Sequence, residues 1–253
     1  MIGHRRPDFE LWPGHQFACF ERESENDFKL DKDEECEELL PDRLIGEYYF
    51  LFCLLKTLEG QQLPPRICIT QYRRFVVNQA IGTPSSNSPH ARTLPAVQAG
   101  KASIAHLMKP KTGDWLVGSL LSTKSVMAQY ARHHPLRDWL RFLADAIDSG
   151  AIDQATALEA SLASQMIPAP SVGTFPTAVF LTHLKILRLA ALSFRHHGFI
   201  ARDEYQRRAI GFCLERLHSF LILRALFRIF NGSQDSVGIQ IVVSETKRIV
   251  ATA

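Results

Sequence analysis

Two adjacent arginines form the most chemically informative group in the sequence. They end a QYRR sequence that follows a short β-branched run, and its members are Gln71, Tyr72, Arg73 and Arg74. The stretch over residues 67–75 predicts a strand that finishes in these four residues. Both guanidinium groups would then lie at the carboxyl end of the strand, next to the crevice where open α/β sheets bind ligands. Guanidinium groups bind phosphate and carboxylate oxygens in a bidentate manner. The pattern therefore favours an anionic small molecule as ligand, and the alternative is a solvated basic turn.

A second group of charged residues shares one face of a predicted late helix. Arg208, Gly211 and Glu215 are spaced at i, i+3 and i+7, which brings them to the same side of a helix. A glycine inside a helix costs about 1 kcal/mol relative to alanine, which indicates close approach by another helix or a ligand. The carboxylate of Glu215 could orient or deprotonate a hydroxyl group. The alternative is a helix crossing with an Arg/Glu surface pair.

Hydrophobic periodicity predicts an α/β order of elements around these two groups. A helix over residues 44–58 precedes the strand, after an acidic, irregular segment over residues 1–43. Residues 78–113 show little periodicity and are predicted to form a long loop. The later predicted elements are a strand over 115–121, a helix capped by Ser122 or Thr123, a helix from Pro135 to Gly150, a helix from Asp153, a strand over 177–181, a helix from Asp203 to about Phe230 and an edge strand over 237–243.

The composition is that of a globular protein. The chain has 253 residues, of which 46% are hydrophobic and 22% are charged, and this excludes a largely disordered protein. Five scattered cysteines without a Cys-x-x-Cys pair predict neither a zinc site nor a disulfide framework, so a reducing cytosol fits. The first residues contain no apolar run of signal-peptide length. The net charge of +3 does not predict a nucleic-acid partner, while peripheral membrane contact and the oligomeric state stay open.

Several catalytic motifs are absent from the sequence. It contains no G-x-S-x-G, Walker loop, G-x-G-x-x-G or H-E-x-x-H, so the commonest hydrolases, nucleotide triphosphatases, dinucleotide enzymes and metalloproteases lose their sequence support. The Asp-x-Asp sequence Asp31-Lys32-Asp33 lies in the acidic segment, which is a poor context for a metal clamp. No metal or other cofactor is predicted, although a divalent cation is left open.

Two motifs together resemble a known family. QYRRF at residues 71–75 resembles the HYRRYF signature of bacterial glycosyltransferase-like proteins from capsular polysaccharide and lipopolysaccharide gene clusters. RAIGFCLERL at residues 208–217 resembles the R-x-x-G-F-x-x-E-R-L signature of the same family. Asp114, the Gln129-Tyr130 pair with His134, and residues 173–177 fall between them in the family's order. The likeness covers roughly residues 44–225, with Gln71 where the family has histidine and Gly173-Thr174-Phe175 where it has Asn-Met-Phe.

The resemblance implies a fold and an activity. The fold is a single GT-A-like or Rossmann-like α/β domain over residues 44–253, with a mixed sheet and a helix-rich C-terminal half. The activity is cytoplasmic transfer of a sugar from a nucleotide-diphosphate sugar to a saccharide acceptor. Arg73 and Arg74 would neutralise the leaving diphosphate, and Glu215 would position or deprotonate the acceptor. The other implied substrate-binding residues are Gln71, Tyr72, Asp114, Tyr130, Arg208 and Gly211. The alternative is a non-catalytic anion- or partner-binding module with the same fold.

Overall fold

A computed structural model describes residues 1–2, 6–86, 88, 90–197, 204–229 and 234–244. The elements of the first half, in chain order, are β1 (Ala18–Cys19), β2 (Phe28–Lys29), α1 (Glu34–Leu39), α2 (Asp42–Ile45), α3 (Glu47–Thr57), β3 (Arg66–Ile69), β4 (Arg74–Val77), β5 (Thr83–Pro84), β6 (Ala91–Pro95), α4 (Ala96–Ala99), α5 (Ile104–Leu107), β7 (Leu116–Val117) and β8 (Leu121–Ser122).

The second half is richer in helix. Its elements are α6 (Val126–His133), α7 (Leu136–Asp148), α8 (Gln154–Leu162), β9 (Gln165–Met166), β10 (Gly173–Pro176), α9 (Thr177–His196), a 3-10 helix (Glu204–Arg208), α10 (Ala209–Leu223), a π-helical turn (Arg224–Ile229), a short 3-10 helix (Gln234–Ser236) and β11 (Ile239–Ser244). The late segment therefore changes helix type twice, and both of its predicted end residues, Asp203 and Phe230, lie outside the described residues.

Two small sheets hold the strands that matter for the site. One has the order β3-β10-β7 and is antiparallel, and the other has the order β4-β11-β6-β5. Strand β11 is antiparallel to β4 and parallel to β6, so the second sheet is mixed. The strand predicted near residues 237–243 is present as β11. The prediction that it lies at the edge of a sheet was wrong, because β11 has a partner strand on each side. Those partners lie more than 140 residues away in sequence, as the pairings Ile241↔Phe75 and Val243↔Leu94 show.

The strand predicted over residues 67–75 is two strands joined by a tight turn. Strand β3 ends at Ile69 and β4 begins at Arg74. The N–H of Gln71 donates to the carbonyl of Arg74 at 2.8 Å, and the N–H of Arg74 donates to the carbonyl of Gln71 at 3.2 Å. Tyr72 and Arg73 form the tip of this turn. The chain thus passes from one sheet to the other at the QYRR motif.

Two segments predicted to be irregular contain regular structure. Residues 78–113 contain β5, β6, α4 and α5. Strand β6 is held by its parallel pairing with β11, which is distant in sequence. For this reason the segment itself shows no periodic pattern that would have predicted the strand. Residues 1–43 contain the parallel pair β1 and β2 and the helix α1. The side chain of Asp33 caps α1 by accepting a hydrogen bond from the N–H of Cys36. Leu30, Cys36 and Leu40 are buried in the main core.

The helical half packs around α9. Helix α9 contacts α7, α10 and α3, and Leu184 and Leu187 are fully buried on it. Among the described helices, α9 alone has the length and composition needed to cross a membrane, and 56% of its apolar window is buried inside the protein. The strand predicted over residues 177–181 is the first part of α9, and the strand lies just before it as β10.

Helix ends follow local signals in most places. Helix α7 lies between Pro135 and Gly150, and Asp153 caps α8, as predicted. The cap of α6 is Ser125, rather than Ser122 or Thr123, and its hydroxyl accepts from the N–H of Ala128 at 3.0 Å. The helix predicted over residues 44–58 is divided into α2 and α3 by Gly46, whose φ of 61° suits glycine.

Candidate functional site

A cleft of about 610 Å³ lies between the QYRR turn, the start of α3 and the exposed side of α10. It therefore joins the two groups that the sequence singled out. Its charged side chains are Glu47, Arg73, Arg74, Arg208, Glu215 and Arg216. Four cations and two carboxylates in one concave surface make it the best candidate for a binding or active site.

The turn presents its two arginines from a fixed backbone. The carbonyl of Arg73 accepts a hydrogen bond from the N–H of Val243 at 2.8 Å, which ties the turn to β11. Arg73 is exposed and its guanidinium lies 5.3 Å from the centre of the Tyr72 ring, while Arg74 is half-buried. Gln71 is 9% exposed, and its amide nitrogen donates to the hydroxyl of Ser171 at 3.4 Å. The turn therefore directs cations into the cleft and anchors Gln71 below them.

Arg208 connects the two helices that border the cleft. Its guanidinium lies 3.8 Å from the carboxylate of Glu47, the first residue of α3. It also approaches Gly46 so closely that a side chain at that position would overlap it. The guanidinium lies 5.7 Å from the centre of the Phe212 ring, and its Nε is buried without a hydrogen-bond partner in the described part of the chain.

Glu215 lies among charges of both signs. Its side chain is 28% exposed. Partial burial raises the pKa of Glu215 and the Glu47 carboxylate raises it further, while Arg216, Arg208 and Arg74 oppose the shift in that order. A carboxylate with a raised pKa is a better proton acceptor near neutral pH than an ordinary one. The position suits proton transfer to or from a bound hydroxyl group.

Arg216 is a buried cation that supports Glu215 at the base of the cleft. Its side chain is 6% exposed. Its Nε and Nη2 both donate to the amide oxygen of Gln129, at 3.2 and 3.1 Å, and its Nη1 donates to the carbonyl of Phe212 at 3.0 Å and to Glu215 at 3.3 Å. The guanidinium also lies 5.4 Å from the centre of the Tyr130 ring. Arg216 therefore makes four hydrogen bonds within the protein, and these hold Gln129 and Glu215 in position.

Three of the predicted substrate-binding residues do not line the cleft. Asp114 is exposed, 3.7 Å from Arg66. Tyr130 is fully buried beneath Arg216, and burial raises the pKa of its phenol. Gly211 is buried where α10 crosses α2, and a Cβ there would lie 3.3 Å from the carbonyl oxygen of Ile45. A neighbouring helix therefore makes the close approach at Gly211, and this is one of the two alternatives, helix or ligand, that the sequence left open.

Sequence reasoning did not select Glu47 or Arg216 as site residues. Glu47 could have been found from the Gly46-Glu47 step at a helix start, and Arg216 from its place beside Glu215 in the second motif. The remaining predicted residues, Gln71, Tyr72, Arg73, Arg74, Arg208 and Glu215, all line the cleft. Within the described ranges, no group of three or more His, Cys, Asp or Glu side chains is placed to hold a metal ion.

Comparison with known proteins bears on the fold. No protein-family model matches the chain, and no curated protein matches its sequence. The apo structure of WbbM, a bifunctional glycosyltransferase, is similar, with a TM-score of 0.68 over 96% of this chain at 15% identity. The chain shares its fold with part of WbbM. It spans 45% of the length of the WbbM chain, so the likeness concerns one part of that larger protein. The predicted α/β class is confirmed.

Proposed function

We propose that the protein is a glycosyltransferase that moves a sugar from a nucleotide-diphosphate sugar to a saccharide acceptor in bacterial surface-polysaccharide assembly. The observation that carries the proposal is the cleft in which Arg73, Arg74 and Arg208 lie with the carboxylates of Glu47 and Glu215. The fold similarity to a bifunctional glycosyltransferase supports it. We place the protein in the cytoplasm or at the inner face of the membrane, and its five free thiols suit a reducing compartment.

The cationic residues suit the donor. A diphosphate gains negative charge as its bond to the sugar breaks, and charge-assisted hydrogen bonds from guanidinium groups stabilise that charge. Arg73 and Arg74 approach from the turn, and Arg208 from the start of α10. Gln71 is held by Ser171, and it would keep the turn in place beneath the phosphates. These side chains would bind the donor and stabilise the leaving group.

The carboxylates suit the acceptor. In the proposed step, an acceptor hydroxyl oxygen bonds to the anomeric carbon of the donor sugar while the bond from that carbon to the diphosphate breaks. The bonding electron pair leaves with the diphosphate, and the hydroxyl proton passes to Glu215. Burial and the Glu47 carboxylate raise the pKa of Glu215, which favours its role as proton acceptor. Arg216 would keep its carboxylate oriented.

Calorimetric titration with nucleoside diphosphates and their sugar conjugates tests the proposal. The wild-type protein should bind at least one uridine, guanosine, cytidine or thymidine diphosphate, and Arg73→Ala and Arg74→Ala should each weaken that binding by about 10- to 100-fold, the loss of one charge-assisted hydrogen bond. Their melting temperatures should match that of Arg132→Ala, an exposed arginine of α6. Absence of binding to all four diphosphates would refute the proposal, and binding without transfer to any acceptor would favour the non-catalytic module.

A further inference from the structure

Three aromatic rings form part of the cleft wall and have no role in the proposed chemistry. Tyr205, Phe212 and His134 all line the cleft. The Phe212 and His134 rings stack at 4.1 Å with an interplanar angle of 20°. The Tyr205 ring lies 4.8 Å from Phe212 and 5.9 Å from His134, at 37° and 24°. The three rings thus form one stacked group.

Only one ring of this group is open to a ligand. Tyr205 is 62% exposed, while Phe212 and His134 are 4% and 7% exposed. The two buried rings support Tyr205 from behind. Large exposed aromatic side chains are costly to order, and a ring already held in place binds a ligand with less loss of conformational freedom. Tyr205 is therefore a preorganised surface.

The ring behind Tyr205 is fixed by its surroundings. Burial lowers the pKa of His134, which favours the neutral form of the imidazole. Its Nδ1 lies 3.2 Å from the amide oxygen of Gln206, and the amide nitrogen of Gln206 donates to the carbonyl of His133 at 3.2 Å. These contacts fix the ring plane of His134. The stacked group therefore presents an apolar face rather than a cation.

Charged groups beside this face match a saccharide. Tyr205, Arg208, Phe212 and Glu215 follow one another along the 3-10 helix and α10. One face of a sugar ring carries C–H bonds that pack on the negative face of an aromatic ring, while its hydroxyl groups need donors and acceptors. Arg208 and Glu215 supply both. The turn arginines Arg73 and Arg74, which would hold the donor's diphosphate, come from a separate element.

We propose that Tyr205, supported by Phe212 and His134, is the platform on which a sugar ring of the acceptor stacks. The proposal rests on the proposed glycosyltransferase function and adds a specificity-determining residue to it. The platform fixes the plane of the acceptor ring, and Arg208 and Glu215 then select which hydroxyl group faces the donor.

Saccharide binding can be measured apart from nucleotide binding. Saturation-transfer NMR with a panel of neutral hexose disaccharides detects weak binding to the wild-type protein, to Tyr205→Ala and to Tyr205→Phe. Binding of at least one disaccharide should fall about tenfold in Tyr205→Ala, the loss of one aromatic contact with its buried area, and should stay within about threefold in Tyr205→Phe, which keeps the ring. Leu158→Ala, an exposed side chain on α8 outside the cleft, should leave binding unchanged.

The outcomes separate this proposal from the proposed function. Disaccharide binding that depends on the ring of Tyr205 supports the platform. If the protein shows this dependence but binds no nucleoside diphosphate, only the assignment of the donor fails. The platform is overturned if no disaccharide binds the wild-type protein, or if Tyr205→Ala binds disaccharides as the wild type does. It is also overturned if Tyr205→Ala weakens only nucleoside diphosphate binding, which would assign the ring to the nucleobase.

Discussion

The guanidinium of Arg208 lies 3.8 Å from the carboxylate of Glu47 and joins the start of α10 to the start of α3. Both groups also act on Glu215, where Glu47 raises the pKa and Arg208 lowers it. The pair therefore tunes the proposed proton acceptor as well as linking two helices. Removing either member should change the pH dependence of the reaction.

The substitution Glu47→Gln tests this tuning. Glu215 can accept a proton only above its pKa, so the rate of transfer should fall at acid pH. Without the Glu47 carboxylate the pKa of Glu215 drops, and the acid limb of the pH–rate profile should move to lower pH. Glu215→Gln should reduce transfer at every pH while leaving calorimetric donor binding intact. An acid limb that stays in place or moves to higher pH in Glu47→Gln would remove Glu215 from the proposed role.

Arg216→Met should destabilise the protein by about 3 kcal/mol, because the amide oxygen of Gln129 and the Glu215 carboxylate lose a buried charged partner. Methionine keeps most of the apolar stem. Urea denaturation gives the free energy of unfolding, and Arg132→Met, an exposed arginine on α6, is the matched control. A loss below about 0.5 kcal/mol would show that Arg216 is not the support inferred from its contacts.

Gly211→Ala tests the helix crossing. Alanine favours a helix by about 1 kcal/mol over glycine, but its Cβ would lie 3.3 Å from the carbonyl oxygen of Ile45 and 3.4 Å from its Cα. Backbone atoms of α2 cannot move aside as a side chain can, so overpacking of about 1–3 kcal/mol should dominate. Thermal denaturation should show a lower melting temperature than wild type, and a larger fall for Gly211→Val. A raised melting temperature in Gly211→Ala would contradict the close crossing.

Two buried histidines should lower the free energy of unfolding in acid. Burial lowers the pKa of His183 to about 4, and burial together with His183 lowers that of His218. Below the ordinary value of 6.5, the unfolded chain binds protons that the folded chain excludes, so stability is full above pH 6.5 and falls as the pH drops towards 4. His183 accounts for about 3 kcal/mol of that loss.

Urea denaturation at pH 7.5 and pH 5.0 measures the acid effect. His183→Gln should reduce the difference between the two pH values, whereas His106→Gln, an exposed histidine, should leave it as in the wild type. The same difference in all three proteins would show that other groups cause the acid sensitivity.

Local signals predicted the helices better than the strands. Pro135, Gly150 and Asp153 mark helix ends by their own chemistry, and these boundaries hold. The division of residues 67–75 into β3 and β4 depends on partners at β10 and β11, which no local pattern reveals. The same dependence hid β6 inside a segment without periodicity. Strand content here is set by pairing at long sequence separation.

The site was predictable only in part, because contacts between residues distant in sequence complete it. Arg73, Arg74, Arg208 and Glu215 stood out because their motifs contain charges beside apolar elements, and they lie in one cleft. Glu47 begins a mostly apolar helix, and Arg216 is a buried cation whose partner, Gln129, is 87 residues away. Only the fold brings Glu47 and Arg216 to the cleft. The roles proposed for these two residues are inferred from their contacts, since their spacing in the sequence does not indicate them.

The central position of β11 also sets when the site can form during synthesis. A ribosome releases the QYRR turn early, but the partner that bonds to Arg73 through Val243 N–H emerges about 170 residues later. Pairing over such a separation is slow because a long loop must close first. Until then β4 exposes the edge that β11 will cover, and the backbone N–H and C=O groups along that edge stay unpaired. A chain truncated before Ile239 should therefore lack not only a strand but also the ordered turn that carries its cations.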